Sequence, residues 1–341
     1  MKRATLWALL LALMLAVGAG CGTAADDGGD DGGSDQASGG EETSGGDDVT
    51  LTQGGDLTIA VVTHGDGGSF WSVAKRGAED AGKDLGVEVR YSESNNDAQQ
   101  QAQMIEAAVT DKVDGLAVSA PDPDAISSAL RTAVDAGIPV ITLNSGLDAY
   151  QDLGAMTHVG QTEGIAGEAA GRRLADEGAQ KLLCVIHEQG NVGLNERCDG
   201  AAKGFGGDVE NLQVKGTADI ATTLTEIQSK LQSDDSIDAV LALNPDIAVA
   251  ARDAVQGANS DATLATFDLS GDVIQAITDG EIAFAVDQQQ YLQGYLPVQM
   301  LMLYKRNLST VGGGQPVLTG PSFVTRENAG QIQQLTEDGL R

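Results

Sequence analysis

From Leu57 onward the chain alternates short, almost wholly apolar runs with longer stretches whose apolar positions recur every three or four residues. "LTIAVVT", "VEVRYS", "DGLAVSA" and "IPVITLN" read as strands, with helices expected near Phe70 to Leu85, Asp97 to Thr110 and Asp124 to Ala136 between them. "MTHVG" follows, and then a second series opens with a helix over Glu163 to Glu177. Its strands are "KLLCVIH", "LQVKG", "DAVLALN", "TLATFD" and "IAFAV". The intervening helices are expected from about Glu196, over Ala221 to Gln232, Ile247 to Val255 and Gly271 to Thr278, and a long helix follows near Tyr291 to Lys305. Strands apolar on both faces, alternating with helices, form parallel sheets covered by helices on either side. Two such series predict an α/β protein of two similar doubly wound lobes.

The first 55 residues follow neither pattern. "MKRATLWALLLALMLAVGAGCG" has two positive charges, an apolar run and small residues before Cys21, the layout of a signal peptide over residues 1–20. Gly18, Ala19 and Gly20 before Cys21 resemble a bacterial lipobox, in which the cysteine is lipidated, although Gly18 stands where a large aliphatic is usual. An ordinary cleaved signal is the alternative. Residues 21–55 are rich in Gly, Asp and Ser and contain no Lys, Arg or aromatic residue. Too little apolar surface is available there to offset the entropy of ordering, so this stretch reads as an acidic disordered tether. Its "GGDDGGSD" matches neither the EF-hand loop nor the glycine-rich calcium repeat, and no metal site is expected.

Charge narrows the partners. The formal net charge is −30, and from Thr50 onward 41 acids stand against 18 bases. Such a surface repels phosphate backbones, which disfavours nucleic acid. With Cys21 assigned to the lipobox, Cys184 and Cys198 remain, and in an oxidising compartment they read as a disulfide; two buried thiols are the alternative.

Open parallel sheets bind ligands at the C-terminal ends of their strands. The residues there, in "THGDGGSFW", "LNSG", "HEQGNVGLNER", "LNPD", "FDLSG" and "DQQQY", are rich in Asn, Asp, Gln and aromatics. They contain no nucleophile elbow and no paired metal-ligand spacing, and His64, His158 and His187 are scattered. A binding protein without a cofactor fits this set better than an enzyme. In "VVTHGDGGSFW" the third glycine of a dinucleotide fingerprint is replaced by Phe70, and Asp66 would oppose a pyrophosphate. Phe70 and Trp71 are instead suited to stacking on the C–H face of a sugar, or to plain packing at a helix start.

"PDPDAISSALRTAVDAGIPVITLNS", Pro121 to Ser145, resembles the signature of type I periplasmic sugar-binding proteins of the ribose and galactose group, the extracytoplasmic receptors of ABC importers. "SFWSVAKRGAEDAGKDLGV", "HVGQTEGIAGEAAGRRLA", "NERCDGAAKGF" and "ATFDLSGDVIQAITDGEIAFAVDQQ" continue the pattern, which runs from Asp56 to about Asn328. The resemblance implies a monomeric protein, tethered to the outer face of the membrane through Cys21, that delivers a small sugar or polyol to a permease. It implies an N-terminal lobe over 56–161 plus 288–319 and a C-terminal lobe over 162–287 plus 320–341. Crossings are implied near Gln161 to Gly164, Val286 to Gln289 and Thr319 to Ser322.

The resemblance also implies ligand roles for Phe70 and Trp71 as a stacking wall, Asn144 and Arg197 as hydroxyl binders, and Asn244, Asp268 and Gln288 as further polar contacts. Gly68 replaces the usual polar residue before the aromatic step, so Asp66 or His64 is expected to supply that contact. Asn144 and Ser145 stand where ribose binders carry an acid and an Arg, which argues against ribose, and Ile220 stands at the expected second aromatic wall. From the residues alone other roles stay open: Arg197 paired with Glu196 or Asp199, Asn144 in a turn, Asp268 as a helix cap. Rival functions are a repressor of the same fold, which needs a helix-turn-helix the N-terminus lacks, a secreted α/β enzyme, and a receptor for a furanosyl signalling molecule.

Overall fold

The structure, a computed structural model, describes residues 56–341; the leader, the lipidation site Cys21 and the acidic tether expected over 1–55 lie outside the described residues. The first series comprises β1 (Thr58–Thr63), α1 (Ser69–Leu85), β2 (Glu88–Glu93), α2 (Ala98–Thr110), β3 (Gly115–Ser119), α3 (Pro123–Asp135), β4 (Val140–Asn144) and β5 (His158–Gly160). The second begins with α4 (Glu163–Asp176), β6 (Lys181–Ile186), α5 (Val192–Phe205), β7 (Asp208–Gln213) and α6 (Ile220–Ser233). It continues through β8 (Ala239–Ala242), α7 (Pro245–Ala258), β9 (Thr263–Phe267), α8 (Gly271–Asp279) and β10 (Phe284–Asp287). The chain ends with α9 (Gln290–Asn307), β11 (Val317–Leu318), β12 (Ser322–Thr325) and α10 (Ala329–Glu337).

These strands form two six-stranded sheets, ordered β11-β5-β4-β3-β1-β2 and β12-β10-β9-β8-β6-β7. Every pairing is parallel except β10 with β12, an antiparallel edge that the apolar pattern did not reveal because β12 is short and half-buried. The central strands are buried along their length: β3, β4 and β8 have no exposed residue. Each sheet is packed on both faces, giving four apolar clusters, two per lobe. The chain passes from one sheet to the other between β5 and α4, between β10 and α9, and between β11 and β12.

Two of the expected elements are displaced, and β11, β12 and α10 were not expected. β7 occupies Asp208–Gln213, not "LQVKG", because as an edge strand it needs no continuous apolar run and its register is set by pairing with Lys181–Ile186. Helix α5 begins at Val192, four residues before Glu196, because the Asn191 side chain accepts the Gly193 N–H and caps it there.

Each lobe is built around one intimate helix pair. In the first, α1 packs on α9, and a Cβ at Gly294 would collide with the Ala74 carbonyl while one at Gly77 would collide with that of Tyr291. In the second, α5 packs on α4, and Gly167 meets the Arg197 carbonyl as Gly200 meets that of Gly164. Only glycine lets the backbones approach so closely. Cys184 on β6 and Cys198 on α5 are joined in a disulfide, with their Cα atoms 5.9 Å apart, as expected from their strand and helix positions.

Candidate ligand-binding site

The C-terminal ends of the central strands of both sheets face one another across the cleft between the lobes. Contacts close it from both sides. Ser69 Oγ donates to Asp246 Oδ1 at 2.6 Å, the Val192 N–H donates to the Pro121 carbonyl at 3.1 Å, and the Thr217 hydroxyl donates to the Asp66 carboxylate. Beneath these contacts lies an inner pocket lined by His64, Phe70, Trp71, Asn144, Arg197, Asn244, Asp268 and Gln288, all expected from the sequence. Its own side chains nearly fill it, leaving about 30 Å³. Asp66 is not among the lining residues. Its carboxylate also accepts the Gly68 N–H, and it faces a larger outer chamber of about 690 Å³.

The aromatic wall comes from the turn between β1 and α1. Phe70 and Trp71 meet edge to face with centroids 4.9 Å apart, and the His64 ring stands edge-on to the indole at 4.7 Å. Both aromatic side chains belong to the apolar cluster of their lobe as well as to the pocket, so packing and pocket-lining are the same placement. His64 is fixed from behind, with Nδ1 2.7 Å from the Ser119 hydroxyl.

The polar wall comes from the second lobe and the crossings. Arg197 is buried, with Nε 2.6 Å and Nη2 2.9 Å from the two carboxylate oxygens of Glu163, and Nη1 donates to the Leu243 carbonyl. The fork expected to grip hydroxyls is therefore occupied by Glu163, not by Glu196 or Asp199, and only the Nη1 edge turns toward Asp268, 4.0 Å away. Glu163, the first residue of α4, is held in turn by Gln161 Nε2 at 2.9 Å. Burial opposes the charge on Arg197, yet Glu163 keeps its pKa above the usual arginine value.

Asp268 is not a helix cap; Ser270 caps α8. The buried Asp268 carboxylate accepts from Gln288 Nε2 at 2.9 Å, and its pKa is raised to about 7, chiefly by burial, against the opposing pull of Arg197 and Gln288. Asn144 occupies a left-handed conformation, φ 60°, at the end of β4, and Asp268 does the same, φ 67°, after β9. Strained backbone of this kind concentrates at sites where a side chain must be aimed. Asn144 Nδ2 reaches Gln293 Oε1 at 3.2 Å, and Gln293 Nε2 donates to Gln288 Oε1 at 2.9 Å, which ties the pocket floor to the second crossing. Asn244 has its oxygen committed to capping α7, accepting from the N–H groups of Asp246 and Ile247.

Several residues here escaped the sequence reading: Glu163, Ser145, His187, Glu188 and Asn191. Glu188 lies 3.6 Å from His64 Nε2 of the other lobe. Burial would raise its pKa, but His64, His187 and Asn191 around it hold it well below the usual carboxylate range. The available signal was position, since Glu188 and Asn191 sit in "HEQGN" at a strand end and Glu163 opens a helix at a crossing. Ile220, which stands where a second aromatic wall is expected, is 41% exposed and borders the outer chamber.

The sequence profile of the periplasmic binding protein domain matches residues 59–307. A carbohydrate transporter from Acidothermus cellulolyticus, whose crystal structure is in complex with myo-inositol, is 42% identical, covers 84% of this chain and all of its own, and gives a TM-score of 0.82. The xylose/arabinose-binding protein of Sulfolobus acidocaldarius is 25% identical over 79% of this chain and 71% of its own. The ribose import binding protein of Bacillus subtilis is 28% identical over 67% of this chain and 75% of its own. With two parallel-sheet lobes, three crossings and a profile match over most of its length, the chain belongs to the periplasmic binding protein family, in its type I form.

Proposed function

We propose that this protein is the extracytoplasmic substrate-binding component of an ABC importer and that it captures a small sugar or ring polyol between its lobes. The observation that carries this reading is the convergence, in one interlobe pocket, of an aromatic wall with Asn144, Asp268, Gln288 and the Arg197 edge. Hydroxyls both donate and accept. Carboxylate and amide oxygens with guanidinium and amide N–H groups match that dual character, while the rings of Phe70 and Trp71 cover an apolar C–H face. The structural relative bound to myo-inositol makes ring polyols the first class to test.

Gln288 couples the pocket to the crossings. It donates to Asp268 and accepts from Gln293, which also donates to the Thr319 hydroxyl at 3.1 Å. A ligand bound to both walls is worth more to the closed arrangement than to an open one, and so shifts the population toward closure. The protein acts as a monomer, and Cys21 carries the lipid that holds it at the membrane. Domain boundaries follow the crossings, with 56–161 plus 288–319 forming one lobe and 162–287 plus 320–341 the other.

Calorimetric titration with a panel of sugars and polyols, myo-inositol first, tests this reading. Saturable one-to-one binding, with a smaller radius of gyration by small-angle scattering at saturation, is expected. No binding across the panel contradicts it.

A further inference from the structure

The inner pocket has about 30 Å³ of free space, whereas the outer chamber has about 690 Å³, and the two share His64, His187, Glu188 and Asn191 as common lining. The larger volume lies in the range that encloses drug-sized ligands, which are bigger than a lone six-membered ring. Both lobes wall the chamber. Asp66 and Asp122 stand on one side, Thr217, Ile220 and Asp246 on the other. Gly67, Gly68 and Ala218 line it without filling it.

His187 lines both spaces and is only 8% exposed. The chamber's charge sets a second condition. Asp66, Asp122, Glu188 and Asp246 face Lys215, an excess of negative charge that repels phosphate and carboxylate substituents and leaves neutral hydroxylated groups as the matching class. The two spaces adjoin at the contact between His64 of one lobe and Glu188 of the other, 3.6 Å apart.

We propose that the outer chamber is a second subsite, and that the ligand is a neutral two-unit molecule: a ring polyol or sugar joined by a glycosidic bond to a second hydroxylated unit. This rests on the inner pocket being a polyol or sugar site. The first unit engages the Phe70 and Trp71 wall and the buried polar floor after the walls part to admit a ring, because the closed pocket of about 30 Å³ has room for little more than a water. The glycosidic link lies beside the His64 and Glu188 pair, and the second unit occupies the outer chamber.

The test is calorimetric titration of the complete soluble chain with matched pairs: myo-inositol against galactosyl-myo-inositol, glucose against maltose, and galactose against lactose. The proposal expects at least one two-unit member to bind about tenfold or more tightly than its one-unit parent. Ala218→Trp, at an exposed chamber position, should remove that advantage while leaving the parent's affinity within about twofold. Ile220→Trp, on a side chain already 41% exposed, repeats the test should Ala218→Trp melt early. Parents that bind as well as or better than every two-unit partner overturn the second subsite and leave the polyol reading standing. A preference that survives both Trp substitutions also overturns it. Absence of binding by every compound, one-unit and two-unit alike, overturns both.

Discussion

The two lobes repeat one scaffold and furnish it with different chemistry. In the first lobe Gly294 packs on the Ala74 carbonyl and Gly77 on that of Tyr291; in the second, Gly167 packs on that of Arg197 and Gly200 on that of Gly164. The spacing is the same, so Ala74 is the counterpart of Arg197, and Gln290, first residue of α9, is the counterpart of Glu163, first residue of α4. One lobe has a small apolar residue and an amide where the other has a buried ion pair. Asn144 and Asp268 likewise hold equivalent left-handed positions after the fourth strand of each sheet. The first lobe presents aromatic rings to the inner pocket, whereas the second presents the Arg197 guanidinium edge and the Asp268 carboxylate and carries the disulfide beside Arg197. A repeated backbone can therefore place a stacking surface opposite a hydroxyl-reading surface, each aimed by the same geometry.

Breaking the ion pair should reveal the contrast most strongly. Glu163→Ala leaves the Arg197 guanidinium buried without its carboxylate, a change that costs about 3–5 kcal/mol. Gln290→Leu at the counterpart position removes an amide whose side-chain nitrogen and oxygen have no partner among the described residues, and should be neutral or stabilising by up to about 1 kcal/mol. Urea denaturation of both variants checks the pair of outcomes. Equal losses would mean that the charge difference between the lobes carries no weight.

The disulfide comes next. Cys184 and Cys198 are 14 positions apart, and closing a loop of that size contributes about 3 kcal/mol in the chain-entropy model. Reduction should lower the unfolding midpoint, and thiol counting on the denatured, unreduced protein should find neither Cys184 nor Cys198 free. In the aromatic lobe, Phe70→Leu keeps much of the buried volume and loses the ring face. Ligand affinity should fall by about 1 kcal/mol, read by calorimetry.

The smallest effect is electrostatic. Glu196 on α5 has a pKa raised from 4.5 to about 7 by burial, then by Asp148 of the other lobe and by Glu163. A carboxyl raised on folding stabilises the fold in its protonated form. That contribution is complete below its unfolded pKa and is lost as pH rises through about 7. Asp268, raised from 3.8 to about 7, acts over the same window. Glu196→Gln should therefore reduce the decline in stability between pH 5 and pH 7 without abolishing it, measured by thermal melts across that range.

Much of this was legible in the sequence because parallel strands covered on both faces are apolar throughout, and the polar residues that interrupt them mark their C-terminal ends. Asn144, Asn244 and Asp268 are such interruptions, and all three line the pocket. Long-range pairing was not legible. Glu163 and Arg197 lie 34 positions apart on different helices, and His64 meets Glu188 only because the lobes close. The edge strands β7 and β12 were misplaced or missed for a related reason: their position is dictated by a neighbour more than by their own apolarity.

Trp71 offers the most direct test of the central claim, that an aromatic wall and a polar wall close together on a hydroxylated ring. The sequence has two tryptophans, Trp7 in the N-terminal apolar run and Trp71 in the pocket wall. In a chain starting at Gly22, Trp71 is the sole indole, and titration with a ligand whose binding is established by calorimetry should change its emission saturably with the same dissociation constant. A ligand that binds calorimetrically while Trp71 emission stays constant throughout would contradict the account, because the aromatic pair would then be packing only and the ligand would lie elsewhere.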